Sequence, residues 1–177
     1  FLFNTLNSIS VLADLDAAKA KDTIADLSDF LRQILYSSDD NEIPLEKELR
    51  TLEYYLNILN VRFSGDLKIV KKINKKLLNR KIPAMLLQPL IENSIKHGYS
   101  YEHSELEILI SIQQEGNQLV IKVENNGQPI TQPSEELMQK GVGLANLRDR
   151  LKNLYGKDFF FQISNKTDSA GNHAGVV

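Results

Sequence analysis

Asn93, Lys96 and His97 stand at i, i+3 and i+4 in the stretch Glu92-Asn93-Ser94-Ile95-Lys96-His97-Gly98. On a helix that spacing puts all three on one face. The Asn side-chain carbonyl is a hard oxygen donor of the kind Mg²⁺ takes while keeping several of its waters. The Lys ammonium is a point charge suited to phosphate. An amide, an ammonium and an imidazole together are a costly choice for a surface meant to be buried. The plain alternative is a solvated helix end, where Lys and His complement the dipole in any case.

Two more stretches have types and spacing that suit chemistry. Val123-Glu124-Asn125-Asn126-Gly127 ends an alternating apolar run with a turn signature. Asn-Gly marks turns in many proteins, so by itself this says little. Lys140-Gly141-Val142-Gly143-Leu144 places a glycine pair directly before a leucine-striped segment. Backbone N–H groups at such a helix start can hold an anion. A lone GxG is weak, and the chain has neither a GxGxxG after a strand nor a Walker A loop.

The elements that must position these residues fall into two halves. Residues 1–63 read as helical. Leu2, Leu6 and Ile9 form one stripe, Ile24, Leu27, Leu31 and Ile34 a second, and Leu45, Leu49, Leu52, Leu56 and Leu59 a third. Pro44 suits the first turn of the last helix, and the segment 37–42 is the expected loop before it. Such stripes either pack within one chain or pair with a second copy. Ser64 and Gly65 end this half.

From Asp66 the period changes. Residues 67–74 read as a strand and 83–98 as a helix, with Pro83 at its start and Gly98 just past its end. Leu106, Ile108, Ile110 and Ile112 alternate with polar residues, as do Leu119, Ile121 and Val123; 115–117 is the hairpin turn between them. Leu144, Leu147, Leu151 and Leu154 restore a helical stripe, followed by expected strands at 159–164 and 174–177. Hairpins with helices on one face make an α+β sandwich over 66–177.

Taken in order, N-S-I-K-H-G, N-N-G and G-V-G-L-A-N-L-R-D-R-L resemble the N, G1 and G2 boxes of the GHKL ATP-binding fold. Gyrase, MutL, a heat-shock chaperone family and histidine kinases share that fold. Within it, LLQPLIENSIKHG and GVGLANLRDRL look like the LytS/YehU-type sensor histidine kinases, and the likeness covers nearly the whole chain. The resemblance implies ATP and Mg²⁺ as cofactors. Asn93 would bind the Mg²⁺ that bridges the phosphates. Lys96, His97 and Gly98 would lie near the phosphates or ribose. Asn125 would face the adenine, with Gly127 leaving room for the base. Gly141 and Gly143, ahead of Leu144, would hinge a lid over 128–142.

Two departures from the family pattern matter. Asn125 stands where the family usually has Asp, so charge assistance to the adenine amine is lost. Pro89 stands where the gyrase-like and chaperone-like ATPases carry a water-activating Glu. That favours phosphoryl transfer to a protein group over hydrolysis, with the neighbouring Glu92 a candidate assistant.

The family's phosphorylated histidine directly precedes the segment matching Phe1-Leu2-Phe3-Asn4, so the chain reads as starting just after its own acceptor. Asn4 is a candidate to orient that histidine. On this reading the chain binds Mg-ATP without autophosphorylating at the usual site. It is the dimerisation region (1–63) and ATP-binding domain (66–177) of a two-component sensor kinase, cytoplasmic and membrane-anchored through segments outside this sequence. A homodimer through the N-terminal helices and a response-regulator receiver domain are the implied partners. A GHKL ATPase without kinase activity and a non-catalytic dimeric scaffold stay open as alternatives.

Composition agrees and excludes some classes. The 177 residues carry a net charge of −2 and no Cys. There is no global pull toward nucleic acid or anionic lipid, and no disulfide or thiolate metal site. No apolar run approaches the ~20 residues a membrane helix needs. Seven of the fourteen residues from Lys68 to Lys81 are basic, read as a solvated strand edge rather than a docking surface. His103 and His173 have no motif around them and read as surface residues.

Overall fold

A computed structural model describes residues 1–37, 41–63, 66–98, 105–131 and 142–177. The chain folds as two units. One comprises Phe1–Leu67 and Leu78–Met85, the other Lys68–Leu77 and Leu86–Val177.

The first unit is built on three helices, α1 (Leu2–Leu15), α2 (Ala17–Ser37) and α3 (Leu45–Arg62). The helical stretch at the N-terminus is broken at Asp16, whose φ of −152° and ψ of 85° leave the helical region. Its carboxylate then accepts the Lys19 N–H at 3.0 Å and caps α2. The break folds α1 back along α2, and Phe1 lands on Phe30 and Tyr55 with ring centroids 5.5 and 5.0 Å away. Phe30 and Tyr55 complete the cluster at 5.6 Å.

This fold-back changes which stripes are buried. Thr5 and Ile9 of α1 and Ala20, Thr23, Leu27 and Phe30 of α2 face inward. The expected stripe residues Leu2, Leu6, Ile24 and Leu31 face outward instead, with Phe3, Val11, Leu15 and Leu35. In α3 the leucine stripe is core, except that Leu49 is only half-buried.

A short strand β1 (Glu42–Pro44) leads into α3, so Pro44 is the residue before the helix rather than part of its first turn. β2 (Leu67–Ile73) follows α3, and after it β1 pairs antiparallel with β3 (Lys81–Pro83). That pairing returns residues 78–85 to the first unit, a detour that the expected boundary at 63–66 does not anticipate. The expected helix start at Pro83 is corrected by the same strand. A residue before proline is pushed toward extended backbone, and Ile82 pairs with Ile43. Met85 then adopts φ 54°, which no helix can run through. The buried Glu48 carboxylate accepts the Met85 N–H at 2.8 Å and holds that bend. The helix α4 begins only at Leu87 and includes Gly98 (Leu87–Gly98).

The second unit is a five-stranded sheet backed by helices. Its remaining elements are β4 (Leu106–Glu115), β5 (Gln118–Asn125), α5 (Val142–Tyr155), β6 (Asn165–Thr167) and β7 (His173–Val176). The strand order is β2-β4-β5-β7-β6. β4 and β5 form an antiparallel hairpin in the register Glu115↔Gln118 to Ile108↔Asn125. Gly116 at φ 58° is the first of its two loop residues, the glycine position of a II′ turn. Leu106, Ile108, Ile110 and Ile112 are buried on one face of β4. Leu87 and Ile91 of α4 and Leu144, Leu147 and Leu151 of α5 are buried core of the same unit.

β2 is an edge strand, so Lys68, Lys71 and Lys72 of the basic run lie along a sheet edge, where lysines discourage pairing with another chain. Lys68 also meets Glu107 at 2.8 Å. The expected strand at 159–164 is not formed. Pairing begins where Ser164 and Val177 exchange backbone hydrogen bonds of 2.8 and 2.9 Å, and the ladder continues through β6. The aromatic run has strand propensity but lies beyond the register that β7 offers, and Phe160 is left exposed.

Candidate functional site

The site is organised around α4. Leu87, Ile91, Ser94 and Gly98 recur at i, i+4, i+7 and i+11 and form its buried stripe. Successive residues on a helix turn by about 100°. Asn93 and His97 therefore flank this stripe on one side, with Lys96 further round. Asn93 is half-buried, and Lys96 and His97 are exposed. Glu92 lies about 100° from Asn93 and accepts a hydrogen bond from Gln88 at 2.9 Å, one turn earlier.

Pro89 is one turn before Asn93 on the same flank. A Cβ built on Gly143 would lie 3.8 Å from the Pro89 Cβ. The start of α5 thus rests on the flank that carries Asn93. Gly143 is exposed in the first turn of α5, and Leu144 is a core residue. Gly141, His103 and residues 132–140 of the expected lid lie outside the described residues.

The other end of α4 meets the end of β5. A Cβ on Gly127 would fall 2.2 Å from the Gly98 Cα and 2.9 Å from the Gly98 carbonyl oxygen. Only glycine at 127 lets these two backbones touch. Asn125 closes the corner. Its Oδ1 accepts the Gly127 N–H at 2.9 Å, and the residue is 8% exposed. Asn126 points the other way. Its Oδ1 accepts the Glu107 N–H at 2.8 Å and its Nδ2 donates to the Glu105 carbonyl at 3.3 Å, so it continues the sheet with a side chain.

Two residues without a sequence signal complete the corner. The His173 ring, expected to be a plain surface group, lies 2.8 Å from the Gly127 carbonyl oxygen through Nε2. A carbonyl can only accept, so Nε2 carries the proton. Asn165 donates to the Ile130 carbonyl at 3.0 Å and accepts the Ile130 N–H at 2.7 Å. It pegs the backbone just past Gly127 to β6. Neither was legible beforehand, because each acts on a segment far away in the chain.

His97 keeps much of its surface in solvent. Desolvation of the rest, and then the Lys96 charge beside it, hold its pKa below the ordinary 6.5. The imidazole is therefore neutral at pH 7 and able to accept as well as donate. Among the described residues no group of three or more His, Asp or Glu could hold a metal ion. A cation beside Asn93 would take its other oxygens from ligand phosphates and water, the usual habit of Mg²⁺. That donor set fits a magnesium nucleotide. No helix among the described residues is long and apolar enough to cross a membrane.

The comparisons agree with this architecture. Residues 78–174 match the family of histidine kinase-, DNA gyrase B- and HSP90-like ATPases. The chain belongs to that family. Residues 1–67 match the histidine kinase family as well. The sensor protein LytS of Oceanobacillus iheyensis is 37% identical over 176 residues, which cover 93% of this chain and 30% of that protein. The sensor histidine kinase/phosphatase LytS of Staphylococcus aureus (strain MRSA252) is 34% identical over 92% of this chain and 30% of its own length. The chain thus spans under a third of these relatives. In fold it is similar to the catalytic domain of the histidine kinase ThkA, with a TM-score of 0.56 and 19% identity, over 76% of this chain and 90% of that one. It is also similar to the histidine kinase domain of a blue-light activated kinase from Erythrobacter litoralis, with a TM-score of 0.54 and 15% identity, over 95% and 80% of the two chains.

Proposed function

We propose that this chain is the catalytic core of a sensor histidine kinase, which binds Mg-ATP on the Asn93 flank of α4. The observation that carries the proposal is the convergence on one helix of three stretches distant in sequence. Gly98 meets Asn125 and Gly127 at one end of α4, and Pro89 meets Gly143 at the other. The nucleotide base goes to the Asn125–Gly127 corner. Asn93 supplies an oxygen to the cation, and Lys96 and His97 face the phosphates or ribose. The glycine-led start of α5, with Gly141 and Gly143 as hinges, closes over the phosphates. Bound Mg²⁺ supplies charge stabilisation, which phosphoryl transfer needs more than covalent help from the protein.

The γ-phosphoryl passes to a histidine, with Asn4 and Glu92 as candidate assistants, and then to an Asp of a response-regulator receiver. The outward apolar faces of α1 and α2 are where a second copy packs. Leu2, Leu6, Ile24 and Leu31 repeat along them at helical spacing and are exposed among the described residues. The whole protein is placed at the membrane by segments outside this sequence, with this core on the cytoplasmic side. Pro89, which cannot activate water, weighs against a dedicated ATPase.

Calorimetric titration with a non-hydrolysable ATP analogue, with and without Mg²⁺, tests the site. Mg²⁺-dependent binding is expected, weakened about tenfold or more by Asn93→Ala. No binding at millimolar nucleotide would sink the proposal.

A further inference from the structure

The chain contains one Asn-Gly dipeptide, Asn126-Gly127, and the corner at the end of β5 uses both residues. Gly127 must be glycine, because a Cβ there would meet the Gly98 Cα at 2.2 Å. Residue 126 must offer an acceptor and a donor side by side. Asn126 Oδ1 accepts the Glu107 N–H at 2.8 Å and Nδ2 donates to the Glu105 carbonyl at 3.3 Å, and an amide carries both on adjacent atoms. Asparagine is a chemically labile residue, and it is most labile before glycine. The backbone nitrogen that follows an asparagine can attack the side-chain carbonyl carbon, and glycine leaves that approach clear of any Cβ. The fold thus keeps a reactive pair that it has no room to replace.

The same contacts hold the reaction off. Attack requires the Gly127 nitrogen to lose its proton and the Asn126 carboxamide to swing round to face it. Gly127 is buried, and its N–H is donated to Asn125 Oδ1 at 2.9 Å, away from any base in solvent. The Asn126 carboxamide is tied through both its atoms to the backbone of residues 105 and 107. Its own backbone N–H is donated to the Glu107 carbonyl at 3.2 Å. Nucleophile and electrophile are each engaged elsewhere.

We infer that Asn126-Gly127 is a deamidation site, which the folded corner keeps closed and which local opening of the corner exposes. The Gly127 nitrogen gives its proton to a solvent base and forms a bond to Asn126 Cγ. The Cγ–Nδ2 bond breaks, and that nitrogen takes up a proton and leaves as ammonia. One water opens the resulting five-membered succinimide at either carbonyl, giving aspartate or isoaspartate. Both products spoil the corner. An aspartate turns a carboxylate oxygen toward the Glu105 carbonyl, acceptor against acceptor. An isoaspartate adds a carbon to the backbone where it lies against Gly98. The change is irreversible without a repair enzyme, so openings of the corner accumulate as copies in which α4 and β5 no longer meet.

The chain is incubated at mildly alkaline pH, native and in guanidinium. Residue 126 is followed by peptide mass spectrometry, with isoaspartate counted by enzymatic methylation. The native chain is expected to react about a hundredfold more slowly than the denatured one, the scale of three hydrogen bonds that must open together. Asn125→Ala frees the Gly127 N–H and should react about tenfold faster than the unaltered chain, at temperatures where both are folded. Native and denatured rates that agree would overturn the inference, as would a denatured chain that does not react at residue 126. A folded Asn125→Ala protein no faster than the unaltered chain would overturn it too. The comparison of native with denatured chain uses no variant, so it decides the matter even where Asn125→Ala does not fold.

Discussion

Gly127→Ala should damage this protein far more than Gly143→Ala, and the structure sets the scale. The added methyl would sit 2.2 Å from the Gly98 Cα and 2.9 Å from the Gly98 carbonyl oxygen. Both are backbone atoms, so neither can rotate away. Restoring an ordinary contact requires the end of β5 and the end of α4 to separate by roughly 1 Å, a forced overpacking of about 3 kcal/mol. In a chain of this size that lowers the melting temperature by roughly 6–12 °C. The separation also breaks the Asn125 contact to the Gly127 N–H, so nucleotide binding should fall with stability. Gly143→Ala is the control. Its methyl would meet the Pro89 Cβ at 3.8 Å, an ordinary contact, and alanine is better than glycine in a helix by up to about 1 kcal/mol. It should melt at or slightly above the unaltered temperature. Scanning calorimetry of both variants, with nucleotide titrations alongside, makes the comparison. A Gly127→Ala protein that melts with the unaltered chain, or a Gly143→Ala protein that is the less stable of the two, would refute the reasoning.

Three further outcomes are expected. His97 has its folded pKa below 6.5, so the unfolded chain takes up a proton first as pH falls. The stability tied to its neutral form is complete above about pH 6.5 and is lost as pH falls toward the folded value. Melting curves of the unaltered chain and His97→Gln should therefore show a stability difference that changes only below that pH, and a constant difference would count against the account. Phe30→Ala removes the centre of the Phe1–Phe30–Tyr55 cluster and should cost about 3–5 kcal/mol in denaturant unfolding; a loss under about 1 kcal/mol would mean that α1 does not fold back on α2. Leu31→Glu puts a charge on the outward face of α2 and should shift a dimer toward monomer in sedimentation, without the melting loss that Phe30→Ala shows. An unchanged mass would move the dimer contact elsewhere.

Where residues speak through local rules, the sequence was a good guide. Alternation in β4, the glycine turn at 116 and the 3.6-residue period of α3 all reflect a single element meeting a single apolar face. The errors fall where an element depends on something distant. Residues 83–86 have the composition of a helix start, but β1 claims Pro83 and Glu48 claims the Met85 N–H. The aromatic run at 159–164 has strand propensity, but β7 pairs from Ser164 onward. The outer and inner faces of α1 and α2 both carry apolar residues, and a periodicity cannot say which one the fold-back at Asp16 will bury.

The site divides in the same way. Asn93, Lys96 and His97 share a face because they share a helix, and spacing alone determined that. The three motif stretches, their order and the family they resemble were also legible in the sequence, because each is a short run of unusual residue types. Tertiary structure alone decided that α4 carries both corners, that Gly127 must be glycine because Gly98 lies against it, and that His173 and Asn165 brace the turn. It also decided which arm of Asn125 faces the backbone. A side-chain amide has a carbonyl that accepts and an NH₂ that donates, and only the position of the Gly127 N–H, fixed by the approach of β5 to α4, determines that the carbonyl turns toward the backbone.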